Sequence, residues 1–272
     1  MMNTTRVRTR RFLLWAMPLA LAMAGPLAAQ EASPPAASAD AGASPASGIS
    51  PEAQAVLDRM TAHLQSLKSY SIETDASRDE VVAYGYKLQN NEHSFITVQR
   101  PNKLRAEVSG DIRNRTFVYD SGKLTMYSPD DAVYVLVDAP DTLGGMIGNL
   151  LDAGVEMPLI DVLYQATAGT LTEGARSGVL VGTSKIDGTA CDQLAFRQAN
   201  VDWQLWVEQG ERPLPRKVVI TTRFEVGDPQ YQATMRWNLK PKIHSATFAF
   251  APPRGATAIA FDTPATSVVD TP

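Results

Sequence analysis

The stretch QRPNKLRAEVSGDIRNRTFVYDSGKLTMYSP, residues 99–129, decides the fold. Apolar and polar residues alternate along Leu104-Arg105-Ala106-Glu107-Val108 and again along Leu124-Thr125-Met126. Turn formers stand between the runs: Pro101-Asn102, Gly110-Asp111, Ser121-Gly122 and Ser128-Pro129-Asp130. A period of two bounded by such residues marks half-buried strands. The predicted strands 103–109, 114–120 and 123–128 are too close for crossover helices, so neighbours must run antiparallel.

Working outward, the same pattern predicts strands at 70–77, 80–89, 93–100 and 132–138, with Asn90-Asn91 as a further turn. It resumes at 179–186, 189–197, 202–208, 216–224 and 231–239. Asp187-Gly188 is a two-residue hairpin signal, and Gly227-Asp228-Pro229 is another turn. About ten to twelve strands and three helices are expected.

Upstream, Ser50-Pro51 supplies a hydroxyl cap and a first-turn proline. Ala53, Val56, Leu57, Met60, Leu64 and Leu67 follow at helical spacing. Between the two strand blocks, Asp141–Gly178 breaks the β pattern. Leu143, Met146, Ile147, Leu150 and Leu151 predict one helix, and Pro158, Leu159, Val162 and Leu163 a second. Gly144, Gly145, Gly148 and Gly154 weaken the first, because an interior glycine costs about 1 kcal/mol relative to alanine. Such a segment is either a plug for an open sheet or a mobile lid.

The chain begins with Arg6, Arg8, Arg10 and Arg11, an apolar run from Phe12 to Ala24, and small residues through Ala29. That order reads as a secretory leader. Thr9-Arg10-Arg11-Phe12-Leu13 faintly resembles a twin-arginine signal, but one residue between the arginine pair and Phe12 is missing. The general route is expected, and the new N-terminus is not lipid-anchored because no cysteine is near. Residues 1–29 are thus a leader, and 30–49, rich in Ala, Pro and Ser, a disordered tether. Residues 50–256 form the folded domain, and 257–272 a flexible tail. Without the leader, Lys plus Arg falls from 25 to 21 against 29 acids, a net charge of about −8. That excludes nucleic acid, which needs clustered cations. The one cysteine, Cys191, permits no internal disulfide and reads as an inert buried thiol.

The chemistry of known enzymes is missing. His63, His93 and His244 lack metal-ligand spacing, and no HExxH, P-loop or G-x-S-x-G occurs. Asp130-Asp131 and Asp79-Glu80 are neighbours on extended chain, so their carboxylates point to opposite faces. The protein is expected to be non-catalytic, without cofactor or metal.

Four motifs together resemble the LolA/LolB-like periplasmic lipoprotein carriers. They are Leu57…Leu64…Leu67-Lys68-Ser69-Tyr70, Gln99-Arg100-Pro101-Asn102-Lys103-Leu104-Arg105, Tyr119-Asp120-Ser121-Gly122-Lys123-Leu124-Thr125-Met126-Tyr127-Ser128-Pro129, and Thr247-Phe248-Ala249-Phe250-Ala251-Pro252-Pro253-Arg254-Gly255. Cys191–Phe196, Val201–Trp206 and Arg212–Lys217 are more similar still to a predicted periplasmic family of unknown function with that fold. The resemblance implies a mainly β, α+β fold: a single curled antiparallel sheet forming an unclosed half-barrel, with helices on its concave side. It implies that Arg100 holds lid helices closed through backbone hydrogen bonds, and that Leu64 lines the hollow. Alternation assigns Ile96, Val98, Leu104, Phe117, Tyr119, Leu124, Met126, Trp203 and Leu205 to the inner face, and the apolar helix adds Met146, Ile147 and Leu150. These are the candidate ligand-binding residues. The expected function is periplasmic carriage of a lipid, acyl chain or other hydrophobic ligand by a monomer without a stable transmembrane anchor. The alternative is an envelope module that binds a protein partner. Trp203, Trp206 and Trp237 are also candidates to stack a sugar.

Overall fold

A computed structural model describes residues 48–153, 155 and 158–261. The predicted leader, most of the tether and the end of the tail lie outside the described residues. Chain contacts divide the protein into Met1–Ala43 and Ser44–Pro272, and the described residues all lie in the second unit.

Helix α1 (Pro51–Ser66) starts where the local chemistry predicts. The Ser50 hydroxyl accepts a hydrogen bond from Ala53 N at 3.2 Å, which satisfies one orphan first-turn donor. Its buried stripe is Ala53, Val56, Leu57, Met60 and Leu64. Two long strands follow, β2 (Ser69–Val81) and β3 (Lys87–Gln99). They replace the three shorter strands predicted at 70–77, 80–89 and 93–100. The turn falls at Val82–Tyr86, where Tyr84 and Gly85 both take positive φ. Asn90 and Asn91 stay in strand because their amides find partners across it, Asn90 on Glu80 and Asn91 on Asp111. Local turn propensity yields to cross-strand hydrogen bonding.

The first half continues as a meander: β4 (Lys103–Gly110), β5 (Arg115–Asp120), β6 (Lys123–Ser128) and β7 (Val133–Asp138). Helices α2 (Leu143–Asp152) and α3 (Pro158–Ala168) come next. A second meander follows: β8 (Ser177–Ile186), β9 (Thr189–Arg197), β10 (Val201–Glu208), β11 (Pro215–Thr222) and β12 (Gln230–Asn238). The β8–β9 hairpin turns at Asp187 and Gly188, with φ of 47° and 78°, the positive pair that a tight two-residue hairpin needs.

Two two-residue strands complete the sheet, β1 (Gly48–Ile49) and β13 (Thr257–Ala258). The spatial order is β1-β8-β9-β10-β11-β12-β2-β3-β4-β5-β6-β7-β13. The two halves are joined where β12 pairs with β2, Trp237 opposite Ile72 and Met235 opposite Thr74. The sheet does not close on itself, since its ends are β1 and β13. One correction applies to the expected all-antiparallel pairing: β1 lies parallel to β8, and β13 parallel to β7, so the sheet is mixed. Their residues come from the ends of the predicted tether and tail, and each segment returns to an edge strand over a crossover long enough to permit parallel pairing.

One face of the curled sheet is packed against the three helices, and the two together form the main core. The other is crossed by the segment from Leu239 to Ala256, which leaves β12 and reaches β13 at the far edge. Phe248 is buried in this strap, and Phe250 sits against Tyr127 and Tyr134 at 5.6 and 5.4 Å.

Candidate functional site

Strand register shows how the helix-covered face is built. Ile72, Ile96, Ala106, Phe117, Met126 and Val135 stand opposite one another across six strands. A second row runs Tyr70, Val98, Leu104, Tyr119, Leu124 and Val137. In the other half, Leu194, Leu205, Val218 and Ala233 form a matching row that continues to Ala76. The nine strand residues read from alternation all lie in this core or packed against it, with Met126 the half-buried one. Leu64, Met146, Ile147 and Leu150 come down on it from α1 and α2.

The trough is therefore filled by the protein's own helices. A cleft of about 180 Å³ opens between α1 and the turn after α3, with Leu57, Thr61 and Leu171 on its walls. It is too small for a long acyl chain. A larger groove of about 860 Å³ lies on the opposite face, beneath the strap.

Named polar contacts tie the cover to the sheet and to α1. Tyr119 donates its hydroxyl hydrogen to Pro140 O at 2.6 Å, which pins the approach to α2. Burial pushes the Tyr119 phenol up, against the Gly122 backbone contact that favours its charged form. Thr142 caps α2, its hydroxyl accepting from Gly145 N at 3.1 Å. From α1, Thr61 donates to Ala166 O and Gln65 to Thr167 O, both at 2.9 Å, satisfying carbonyls that α3 leaves open at its last turn. Gly169, at φ 78°, ends that helix.

Arg100 sits beside this same helix end. Its guanidinium reaches the Thr167 hydroxyl at 3.5 Å, which in turn donates to Leu163 O at 2.8 Å. The observed link to α3 is thus through a side chain, where the resemblance implied backbone carbonyls. A cation there also complements the negative end of the helix dipole. Among the described residues, Arg100 Nε and Thr74 Oγ1 are buried without a hydrogen-bond partner. Burial raises the Tyr70 phenol, and the neighbouring Arg100 opposes that shift. Tyr70, Thr167 and Pro140 have no spacing signal in the sequence; only the register and the helix docking bring them to the latch.

The glycines of α2 have specific neighbours. A methyl group on Gly144 would meet Tyr164 Cε2 at 2.8 Å, and one on Gly145 would meet Pro140 Cβ at 2.7 Å. These two let α3 and the preceding loop approach closely. Gly148 meets nothing within 4 Å, so it only weakens the helix.

The tryptophans are occupied. Trp203 stacks on Phe196 at 4.0 Å and 14°, Trp237 leans on Tyr70 at 5.3 Å and donates to Pro215 O, and Lys217 lies over Trp206. Cys191 is buried beside Trp206 and Val219, and burial pushes its thiol up, away from thiolate chemistry. The adjacent carboxylates serve turns and edges: Asp130 takes both donors of Asn114, and Asp79 faces Lys87 and Gln230 N. Among the described residues, no group of three His, Cys, Asp or Glu side chains could hold a metal. No helix among them is long and apolar enough to cross a membrane.

The model of a family described as "Predicted periplasmic protein (DUF2092)" matches residues 53–262. Among solved structures, LprF from Mycobacterium bovis is similar at 15% identity and a TM-score of 0.47, over 73% of this chain and 98% of that one. Lipoprotein LppX from Mycobacterium tuberculosis is similar at 14% and 0.45, over 71% and 99%. A LolA superfamily protein from Nitrosomonas europaea aligns at 11% and 0.30, over 73% and 97%. No curated protein matches the sequence.

Proposed function

The chain belongs to the DUF2092 family of predicted periplasmic proteins, and from that premise we propose that it is a non-catalytic binder of a hydrophobic ligand. After loss of the leader at Ala29 it works in the periplasm. The ligand, a lipid or an acyl chain, lies on the apolar rows of the trough once α2 and α3 lift. The observation that carries this reading is the apolar surface spanning both halves of the sheet beneath α2 and α3, with Arg100 hydrogen-bonded to Thr167 of α3 and Tyr119 to Pro140 ahead of α2. An acyl chain leaving a bilayer loses about 0.8 kcal/mol per CH₂, and the exposed rows offer comparable burial. Leu104, Phe117, Leu124 and Leu205 then meet the chain, and Arg100 sets how readily α3 leaves. Delipidated protein should take up a fluorescent fatty acid, and Arg100→Ala should speed uptake. No uptake by either protein refutes the proposal.

One observation favours a second reading, an envelope module that grips a protein partner. Tyr84, Tyr86 and Leu88 at the β2–β3 tip, with Phe224 and Val226 at the β11–β12 turn, are exposed. Gly227 lies against Val81 and Lys87, which places the two turns side by side. Photo-crosslinking from position 84 in periplasm, giving one protein adduct and no lipid in the isolated protein, decides for it.

A further inference from the structure

We infer that the groove beneath the strap, on the face away from the helices, is a second binding site, and that its ligand is an amphiphilic anion: an acyl or aryl chain ending in a carboxylate or phosphate. The face that carries it should be wet, and residues on a wet antiparallel face are ordinarily polar. Along β3 they read Asn91, His93, Phe95, Thr97, and Phe95 is the exception, an aromatic ring 46% exposed inside the groove. Tyr127 and Phe250 extend this apolar wall. Between its larger residues the strap presents Ala246, Ala249 and Ala251 to the groove, which take up little of the space. At about 860 Å³ the groove is of the size that takes small organic ligands.

Its electrostatics select the charge. Three cations line it, Arg105, Lys240 and Lys242, against one acid, Glu107. Arg105 holds Glu107 through two hydrogen bonds, 2.9 and 2.6 Å, and extends toward Ala249 O at 3.5 Å. That pair is satisfied within itself and with the strap. Lys240 and Lys242 have no ion-pair or hydrogen-bond partner for their ammonium groups among the described residues, and they flank Pro241 at the groove's rim. The neighbouring carboxylates of Glu73 and Asp75 are engaged by Arg236 and His93. Both lysines are exposed, so their ammonium groups are free to meet an incoming anion. An anionic head between them gains charge-assisted hydrogen bonds, while its apolar part covers Phe95. The site is independent of the trough.

The test is amide chemical-shift mapping on the mature protein with laurate and with lauroyl lysophosphatidylglycerol, each below its micelle concentration, and with dodecanol below its solubility limit. Laurate or the lysolipid should shift Ser71, Thr97, Thr116 and Ala249; whichever binds names the source as free acid or lipid. The variant K240Q/K242Q, altered only at exposed side chains, should bind about tenfold more weakly or worse, and wild-type affinity should fall with added salt. Equal binding of dodecanol, unchanged affinity in the lysine variant, or no shift at these positions overturns the inference. Shifts confined to Leu64 and Met146 also overturn it, while supporting ligand in the trough.

Discussion

At the residue scale, single polar atoms decide how the covered face is held. The Tyr119 hydroxyl serves Pro140 O deep at the approach to α2. Removing it with Tyr119→Phe leaves that carbonyl without its partner and should cost about 1–3 kcal/mol in urea unfolding, with faster probe uptake if α2 is the moving part. On the wet face, Asp75 accepts from His93 at 2.8 Å and pairs with Arg236, beside Glu73. The His93 hydrogen bond, then that of Arg236, holds its carboxyl below the ordinary value of 3.8. A carboxyl lowered in the folded state adds stability that is full above the unfolded value and is lost as pH falls through the folded one. Acid titration of unfolding should therefore show a loss beginning below about pH 4, and Asp75→Asn should flatten that part of the curve. Because Asp75 is exposed, the effect should be small and reduced by salt.

At the element scale, α2 carries the sharpest contrast. Its three described glycines look alike in sequence, yet they sit in different surroundings. Gly148→Ala meets open space and should stabilise the protein by about 1 kcal/mol. Gly144→Ala drives a methyl group into Tyr164 and should destabilise it by about 1–3 kcal/mol. Urea midpoints of the two variants, moving in opposite directions, check both. If the helices act as a lid, Gly148→Ala should also slow probe uptake. The β2–β3 hairpin shows the converse of local reasoning. Asn90 and Asn91 favour a turn, but thirteen ladder positions run from Ser69 opposite Gln99 to Val81 opposite Lys87, and the pairing wins.

At the scale of the whole molecule, the two meanders depend on one seam. Met235, on β12, is almost fully buried and faces Thr74 of β2. Met235→Ala should cost about 2–5 kcal/mol. The seam is long-range in sequence and the core is shared, so far-UV circular dichroism and the fluorescence of Trp203, Trp206 and Trp237 should still report one coincident transition. Two separated transitions would mean that the halves fold independently.

The sequence by itself determined most of the strands, the three helices and which face of each is apolar, but not the β2–β3 turn or the two short edge strands. Those properties follow from periods of two and 3.6 and from caps and turns such as Ser50-Pro51 and Asp187-Gly188, all of which act within a few residues. The rows containing Ile96, Phe117 and Leu205 were legible for that reason. Only the tertiary structure decided that β12 lies against β2, that Arg100 meets Thr167 beside Tyr70, that Gly144 seats Tyr164, and that Leu239–Ala256 roofs a basic groove over Phe95. These contacts join residues tens to more than a hundred positions apart, and no periodicity encodes them. They arise from the pairing register of the whole sheet and from the volume left when helices and strap settle on its two faces.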